Sequence, residues 1–406
     1  MSKNQILFTI EEDWAGFKAG ALVSVDAAEA LRDPANLTPR LIVQPGPRQS
    51  IEGVATSKTY VLVDLYENVQ GGVRRYAFAG GAWTGEDIAL PKASSVDIVA
   101  AELESDVIFA SVTSFLTPTT LWLGDAGTRA AAEVKALPAK FDASTHVTEQ
   151  FEATSKDGTK IPYFVVHPKA MTLDGNNPTL LYAYGGFQVS MTPGYSATTG
   201  KLWLENGGVY VLANIRGGGE FGPAWHQAGL KQNRQRIYDD FAAVAEDLIA
   251  RKITSPRRLG IQGGSNGGLL MGVELVQHPE LWNAVVVQVP LLDMLRYHKL
   301  LAGASWVAEY GDPDKPEERA FLEAISPYQT LKAGPKYPEP FFVTSTKDDR
   351  VHPGHARKMA AKMESLGLPF LYYENIDGGH SAAANLQEAA RRASLEYMYL
   401  TRKLMD

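Results

Sequence analysis

Five continuous apolar runs between residues 178 and 349 constrain this chain more than any other feature. They are PTLLYAYGG (178–186), VYVLANIRGGG (209–219), RLGIQGGSNGG (258–268), AVVVQVP (284–290) and PFFVTSTKDD (340–349), each closing on turn residues. A strand with one wet face alternates apolar and polar residues. A run that is apolar throughout is buried on both faces, which is the situation of a parallel sheet covered by helices. The stretches between the runs supply those helices. In DDFAAVAEDLIARK (239–252), Phe241, Val244, Ala245, Leu248 and Ile249 recur at i, i+3, i+4, i+7 and i+8 and form one apolar face. Asp239 and Asp240 are placed at the start of that helix, where they suit its dipole. Strands alternating with helices in this way predict a doubly wound α/β domain.

The texture before about residue 147 is different and reads as all-β. Short runs rich in β-branched and aromatic residues, TYVLVDLYE (59–67), VRRYAFA (73–79), DVIFASVTS (106–114) and TLWLG (120–124), are separated by turn chemistry such as Gly71-Gly72 and Gly80-Gly81. VRRYAFA nearly alternates, as a half-buried strand does. Short strands at this spacing predict a sandwich, a barrel or propeller blades. The chain thus divides into an all-β piece, 1–147, and an α/β domain, 148–406. Its 406 residues exceed what one ordinary core accommodates.

Charge and composition narrow the function. A net charge of −7 argues against nucleic acid or an anionic membrane as partner. The basic cluster at Lys231, Arg234 and Arg236 is interleaved with Gln and Asn and reads as a solvated helix start. With no cysteine in the chain, disulfides, thiolate metal ligands and a cysteine nucleophile are ruled out. Neither an apolar signal-peptide stretch nor an 18-residue apolar run occurs, so the expected location is cytoplasmic, although a cysteine-free chain is compatible with export too.

The chemistry centres on Gly263-Gly264-Ser265-Asn266-Gly267. It follows the strand-like RLGIQ and precedes the helix-like LLMGVELVQ, the context that a Gly-x-Ser-x-Gly nucleophile turn requires. Glycines on either side remove Cβ atoms from a crowded turn. The helix N-terminus and the Asn266 N–H then point at a developing oxyanion. A serine hydroxyl needs a base, and in α/β-hydrolases the partners follow in the order Ser, Asp or Glu, His. His380, in a turn-rich loop after the strand-like PFLYYEN (369–375), suits the base. Asp348 and Asp349 both close the run PFFVTSTK, and spacing alone does not choose between them. His352 and His355 read as a solvated helix start, and their i, i+3 spacing is a poor zinc signature.

The α/β half resembles the prolyl oligopeptidase family of serine peptidases over about residues 148–406. The resemblance rests on LYAYGGF (181–187), ANIRGGGEFGPAWH (213–226), GGSNGGLL (263–270), DMLRYHK (293–299), ASWVAEYGDP (304–313), KDDRVHP (347–353) and the GGHSA segment around His380. It implies an α/β-hydrolase domain preceded by a partial β-propeller of about three to four blades. Asp348 is implied as the triad acid, beside Ser265 and His380. Tyr184 is implied as a second oxyanion donor beside Asn266, Arg350 as a holder of a substrate carbonyl or carboxyl, and Trp306, Phe187 and Tyr310 as walls of a proline pocket. Neither cofactor nor metal is implied. The family's propeller has seven blades, and an N-terminal segment before it belongs to the hydrolase domain. Only about 147 residues precede the hydrolase half here, which suggests an open site and exposed strand edges that favour homo-oligomers.

The expected activity is therefore acyl transfer through Ser265, cleaving short peptides after proline. The same triad allows a carboxylesterase acting on small acyl esters. A non-catalytic scaffold on a hydrolase fold is the third reading, disfavoured because every triad member is present.

Overall fold

The computed structural model describes residues 4–92 and 94–406, so the first three residues of the expected β piece and Ala93 lie outside the described residues. The chain divides into two compact units. One runs to Lys140 and also takes in Ser190–Ala197 and Gly219–Trp225; the other comprises Phe141–Val189, Thr198–Gly218 and His226–Asp406.

The first unit holds three antiparallel sheets in chain order. Strands β1 (Gln5–Thr9), β2 (Leu22–Asp26) and β3 (Arg40–Val43) form the first. Strands β4 (Gln49–Thr56), β5 (Val61–Glu67), β6 (Gln70–Ala79) and β7 (Ala82–Asp87) form the second, in sequential order. Strands β8 (Ser95–Ala101), β9 (Val107–Thr113), β10 (Thr120–Asp125) and β11 (Ala131–Ala136) form the third. Period-2 geometry explains how they stack. In β5, Val61 and Val63 join a core with Leu22 and Ile42 of the first sheet, whereas Leu62 between them joins Val96, Ile108 and Ala110 of the third. The middle sheet is thus buried on both faces and the sheets stack face to face, as blades do. They form part of a propeller and do not close.

Polar bonds pin the second sheet to the third. The Tyr66 hydroxyl donates to Val96 O (3.1 Å) and accepts from Val96 N (2.8 Å), and Asp64 Oδ2 accepts from Ile98 N (3.1 Å). A side chain at Gly71 would strike both partners of the first contact, its Cβ falling 2.8 Å from the Tyr66 ring and 2.9 Å from Val96 N.

The second unit is built on one eight-stranded sheet. Its strands are β12 (His146–Thr154), β13 (Lys160–Pro168), β14 (Thr179–Tyr182), β15 (Val209–Ala213), β16 (Leu259–Gly264), β17 (Ala284–Gln288), β18 (Pro340–Ser345) and β19 (Leu371–Asn375), in the order β12-β13-β15-β14-β16-β17-β18-β19. The pairs β12/β13 and β13/β15 are antiparallel, and all the others are parallel. The five apolar runs are β14 to β18, as the both-faces argument requires, and β18 is buried at every position. Glycines show both covers directly. A Cβ at Gly260 would meet Leu404 of the helix Leu386–Leu404 at 2.7 Å. One at Gly263, on the opposite face, would meet Gly267 O in the helix Asn266–Gln277 at 2.5 Å.

Three readings need correction. The boundary expected at 147/148 falls inside β12, whose residues His146 and Val147 already pair with Pro168 and His167 of β13. The helix expected from Asp239 runs Gln235–Ala250, and Asp240 sits in its second turn with no exposure, paired to buried Arg216 rather than serving the dipole. Arg234 is only 1% exposed, not solvated, because Glu309 and Asn266 accept from its guanidinium.

Candidate active site

Ser265 closes β16 and caps the helix Asn266–Gln277 with φ 58° and ψ −117°. A non-glycine residue with positive φ is strained, and such strain persists only where the surroundings impose it. Here the Ser265 N–H donates to Gln288 O (3.0 Å) and the Ser265 carbonyl accepts from Leu269 N (3.1 Å). Gly268 is required beside it, since a Cβ there would lie 2.6 Å from Gln288 O. The Tyr184 hydroxyl lies near enough to the Ser265 side chain for the serine to influence its ionisation. Burial raises the Tyr184 phenol above its ordinary range, partly offset by the serine and by the charges of Arg234 and Arg350.

The acid and base meet across the ends of β18 and β19. His380 Nδ1 lies 2.8 and 3.0 Å from the two carboxylate oxygens of Asp348. Asp348 is buried, and its Oδ1 also accepts from Arg350 N and Val351 N, both at 2.9 Å. Asp349, left open by spacing, is exposed and bonds to neither Ser265 nor His380. The structure therefore joins the acid and the base, Asp348 with His380. Among the described residues no hydrogen bond joins Ser265 to His380.

Asn266 is buried and its side chain is fully engaged. Its Nδ2 donates to Tyr184 O (2.6 Å), and its Oδ1 accepts from Tyr310 OH (3.0 Å) and from Arg234 Nη2. Tyr310 is fully buried, edge-on to Phe187 at 5.5 Å between ring centroids and under Arg234 at 4.4 Å. It packs behind Phe187 and donates to Asn266. Phe187 and Trp306 are partly exposed. The turn carrying Trp306 is tied to the strand-end loop by Ala302 N donating to Arg350 O (3.3 Å). Arg350 is exposed and makes no ion pair among the described residues, so the salt bridge that would explain it as surface chemistry is not formed.

Sequence reasoning missed the groups behind these side chains. Glu309 is 5% exposed, and its carboxylate accepts from Phe187 N (3.0 Å), Arg234 Nη1 (3.1 Å) and His226 Nε2 (2.7 Å). Burial pushes this carboxyl up, but the bonds from His226, Arg234 and the Phe187 N–H outweigh it and hold it below the usual range. Arg234 and Glu309 are 75 residues apart, so nothing local signals the pair. His355 was misread as solvated. It is buried, with Nδ1 accepting from Leu292 N (3.2 Å) and Asp293 N (3.1 Å), and burial pushes its imidazole down to about 4. His298, Asp312 and Asp314 come close enough to offer a metal three ligand atoms, but Lys299 already pairs with Asp314.

A mostly parallel sheet with a strained serine at a strand–helix turn, and a histidine–aspartate pair at later strand ends, is the arrangement of an α/β-hydrolase domain. The family model of the prolyl oligopeptidase family matches residues 194–406, and that of its N-terminal β-propeller domain matches residues 2–136. The chain belongs to the prolyl oligopeptidase family. The uncharacterized peptidase y4nA of Sinorhizobium fredii is 56% identical over 100% of this chain and 56% of its own length. A prolyl endopeptidase of Elizabethkingia meningoseptica is 37% identical over 74% of this chain and 43% of its own. Among solved structures, a post-proline cleaving enzyme from Rickettsia typhi matches with a TM-score of 0.91 and 37% identity, covering 100% of this chain and 60% of that one. The chain thus spans 43–60% of the length of these relatives. Among the described residues no helix is long and apolar enough to cross a membrane.

Proposed function

We propose that this chain carries the catalytic machinery of a prolyl-oligopeptidase-type serine peptidase that cleaves short peptides after proline. The observation that carries the reading is Ser265 held at positive φ on the strand–helix turn, with His380 Nδ1 2.8 Å from the buried Asp348 carboxylate after the later strands. Ser265 Oγ attacks the scissile carbonyl, and its proton passes to His380 Nε2. Asp348 holds His380 Nδ1–H, fixes the tautomer and balances the imidazolium charge. The Tyr184 hydroxyl and the Asn266 N–H receive the oxyanion, His380 protonates the leaving amine, and water releases the acyl group. The reading requires the Ser265–His380 bond to form when substrate binds, a tightening that resting sites commonly undergo. The unpaired Arg350 guanidinium suits a substrate carbonyl or carboxylate. Phe187 and Trp306 suit a proline ring, which is rigid and loses little entropy on binding.

The test is turnover of a Gly-Pro amide beside p-nitrophenyl butyrate, each with the wild type and Ser265→Ala. The expected outcome is turnover of both substrates, each falling by at least about 10⁴-fold in the variant. Ester turnover alone makes the chain an esterase, and turnover of neither removes the catalytic reading.

A further inference from the structure

Glu309 touches neither Ser265 nor the base, yet two parts of the site hang on a single one of its oxygens. Oε1 accepts from the Phe187 backbone N–H and from Arg234 Nη1, and the other arm of Arg234 holds Asn266 Oδ1. Asn266 in turn ties to the Tyr184 carbonyl through Nδ2. The far oxygen, Oε2, is fixed by His226 Nε2. One carboxylate therefore links the aromatic wall at Phe187 to both residues that offer oxyanion donors.

The wall is poised to move. Phe187 and Gln188 both have φ 56°, a region costly for residues with a Cβ. A strained segment stays in place only while bonds such as Phe187 N to Glu309 hold it. Pressure from a ring on Phe187 acts on Glu309 Oε1 through the Phe187 N–H and on Asn266 Oδ1 through Tyr310, whose ring abuts Phe187 and whose hydroxyl donates to Asn266.

We propose that Glu309 is a positioning residue that couples occupation of the proline pocket to alignment of the oxyanion donors. Filling the pocket sets the geometry of Asn266 and Tyr184, so that preference for proline is expressed in kcat more than in KM. This is binding energy realised in the transition state rather than in the ground state. The inference rests on the peptidase reading above.

The experiment compares two peptidyl amides identical except for proline or alanine before the scissile bond. Both are measured as kcat and KM on the full chain and on Glu309→Ala. Wild type is expected to favour proline chiefly in kcat. In Glu309→Ala the proline-to-alanine ratio of kcat should fall by about tenfold while KM for the prolyl substrate moves less than about threefold. Glu309→Gln keeps an oxygen for the Phe187 N–H and the original volume. It should lose only about threefold of the ratio, and it serves if the alanine variant does not fold. An equal fall in kcat for both substrates overturns the coupling, as does a change confined to KM, or no change. If wild type shows no preference for proline, the peptidase reading itself fails and the inference goes with it. A preference that survives in both Glu309 variants sinks the inference alone.

Discussion

Buried polar groups occur in both units of this molecule but do different things. In the N-terminal sheets they mostly fasten one strand or sheet to another: Tyr66 bonds at Val96, Asp64 at Ile98, Asp106 receives the Ser57 hydroxyl and the Thr59 N–H, and Ser24 links Gln5 to the Trp83 N–H. In the C-terminal unit they are shared. Glu309 has three donors, Asn266 Oδ1 has two, and Asp348 serves His380 and two backbone N–H groups. Isolated bonds fasten one surface to another. Shared ones fix side-chain positions against each other, which is what a catalytic geometry needs. The difference follows from the sheets: single blades leave polar groups only along their seams, whereas a parallel sheet collects its loops at one edge.

The largest expected effect comes from breaking a shared group. Arg216 gives Asp240 three bonds, from N (3.1 Å), Nε (2.9 Å) and Nη2 (2.6 Å), and both side chains are almost fully buried. Arg216 also pairs with the part-exposed Asp157, so Asp240→Asn removes the buried one of its two counter-charges, and the cost should be about 3 kcal/mol. Urea unfolding of the variant beside wild type measures it. A loss too small to resolve would mean that the buried network is not what holds this unit.

The two units should also respond to pH with opposite sign. His355 is pushed down to about 4 from an ordinary 6.5, so between those values the unfolded chain binds a proton that the folded chain refuses. Its contribution is present above 6.5 and is lost as pH falls toward 4, by up to about 3 kcal/mol. In the N-terminal unit, burial raises Asp64 to about 7 from 3.8, with the bond from Ile98 N opposing and the charges of Asp97 and Glu52 adding. The folded form there keeps its proton longer, so stability is fully present below 3.8 and is lost as pH rises through 7. Hydrogen exchange corrected for intrinsic rate separates them. From pH 6.5 to 4 the helix Gly354–Ser365 should lose protection while β5 gains it. His355→Gln should flatten the first trend and Asp64→Asn the second; parallel trends in both units would contradict the assignment.

What could be read from sequence follows the same division. The runs that became β14 to β18 were legible because a strand covered on both faces has nowhere to put a polar residue. Ser265 was legible because its turn needs glycines on both sides, and His380 because chain order leaves few candidates. Arg234, Asp240 and His355 were misread for one reason: a charged or polar residue near a helix start looks solvated until its distant acceptor or donor is known. Arg234 meets Glu309 and Asn266, Asp240 meets Arg216, and His355 meets two N–H groups after β17. None of these pairings has a local spacing. Strand β12 escaped because it is mostly half-exposed and carries no continuous apolar run, whereas β13 does carry one, IPYFVV (161–166), buried throughout.

The smallest effect is expected where the same chemistry sits at a wet seam. Arg75 and Glu86 face each other across β6 and β7, with Nε and Nη2 of Arg75 at 3.2 and 2.5 Å from Glu86 Oε2. On geometry alone this pair rivals Arg216 and Asp240. However, half of the Glu86 side chain is in water, and Arg75 also donates to the carbonyls of Ala126 and Gly127. Removing the charge with Glu86→Gln therefore strands nothing: the amide oxygen and water remain as acceptors, the half-exposed Arg129 that also pairs with Glu86 turns to solvent, and Arg75 keeps its backbone acceptors. Thermal melting of Glu86→Gln should superimpose on wild type at moderate salt. If this substitution instead lowers the melting temperature as far as Asp240→Asn does, then bond geometry governs these pairs more than burial, and the contrast between the two units fails at its root.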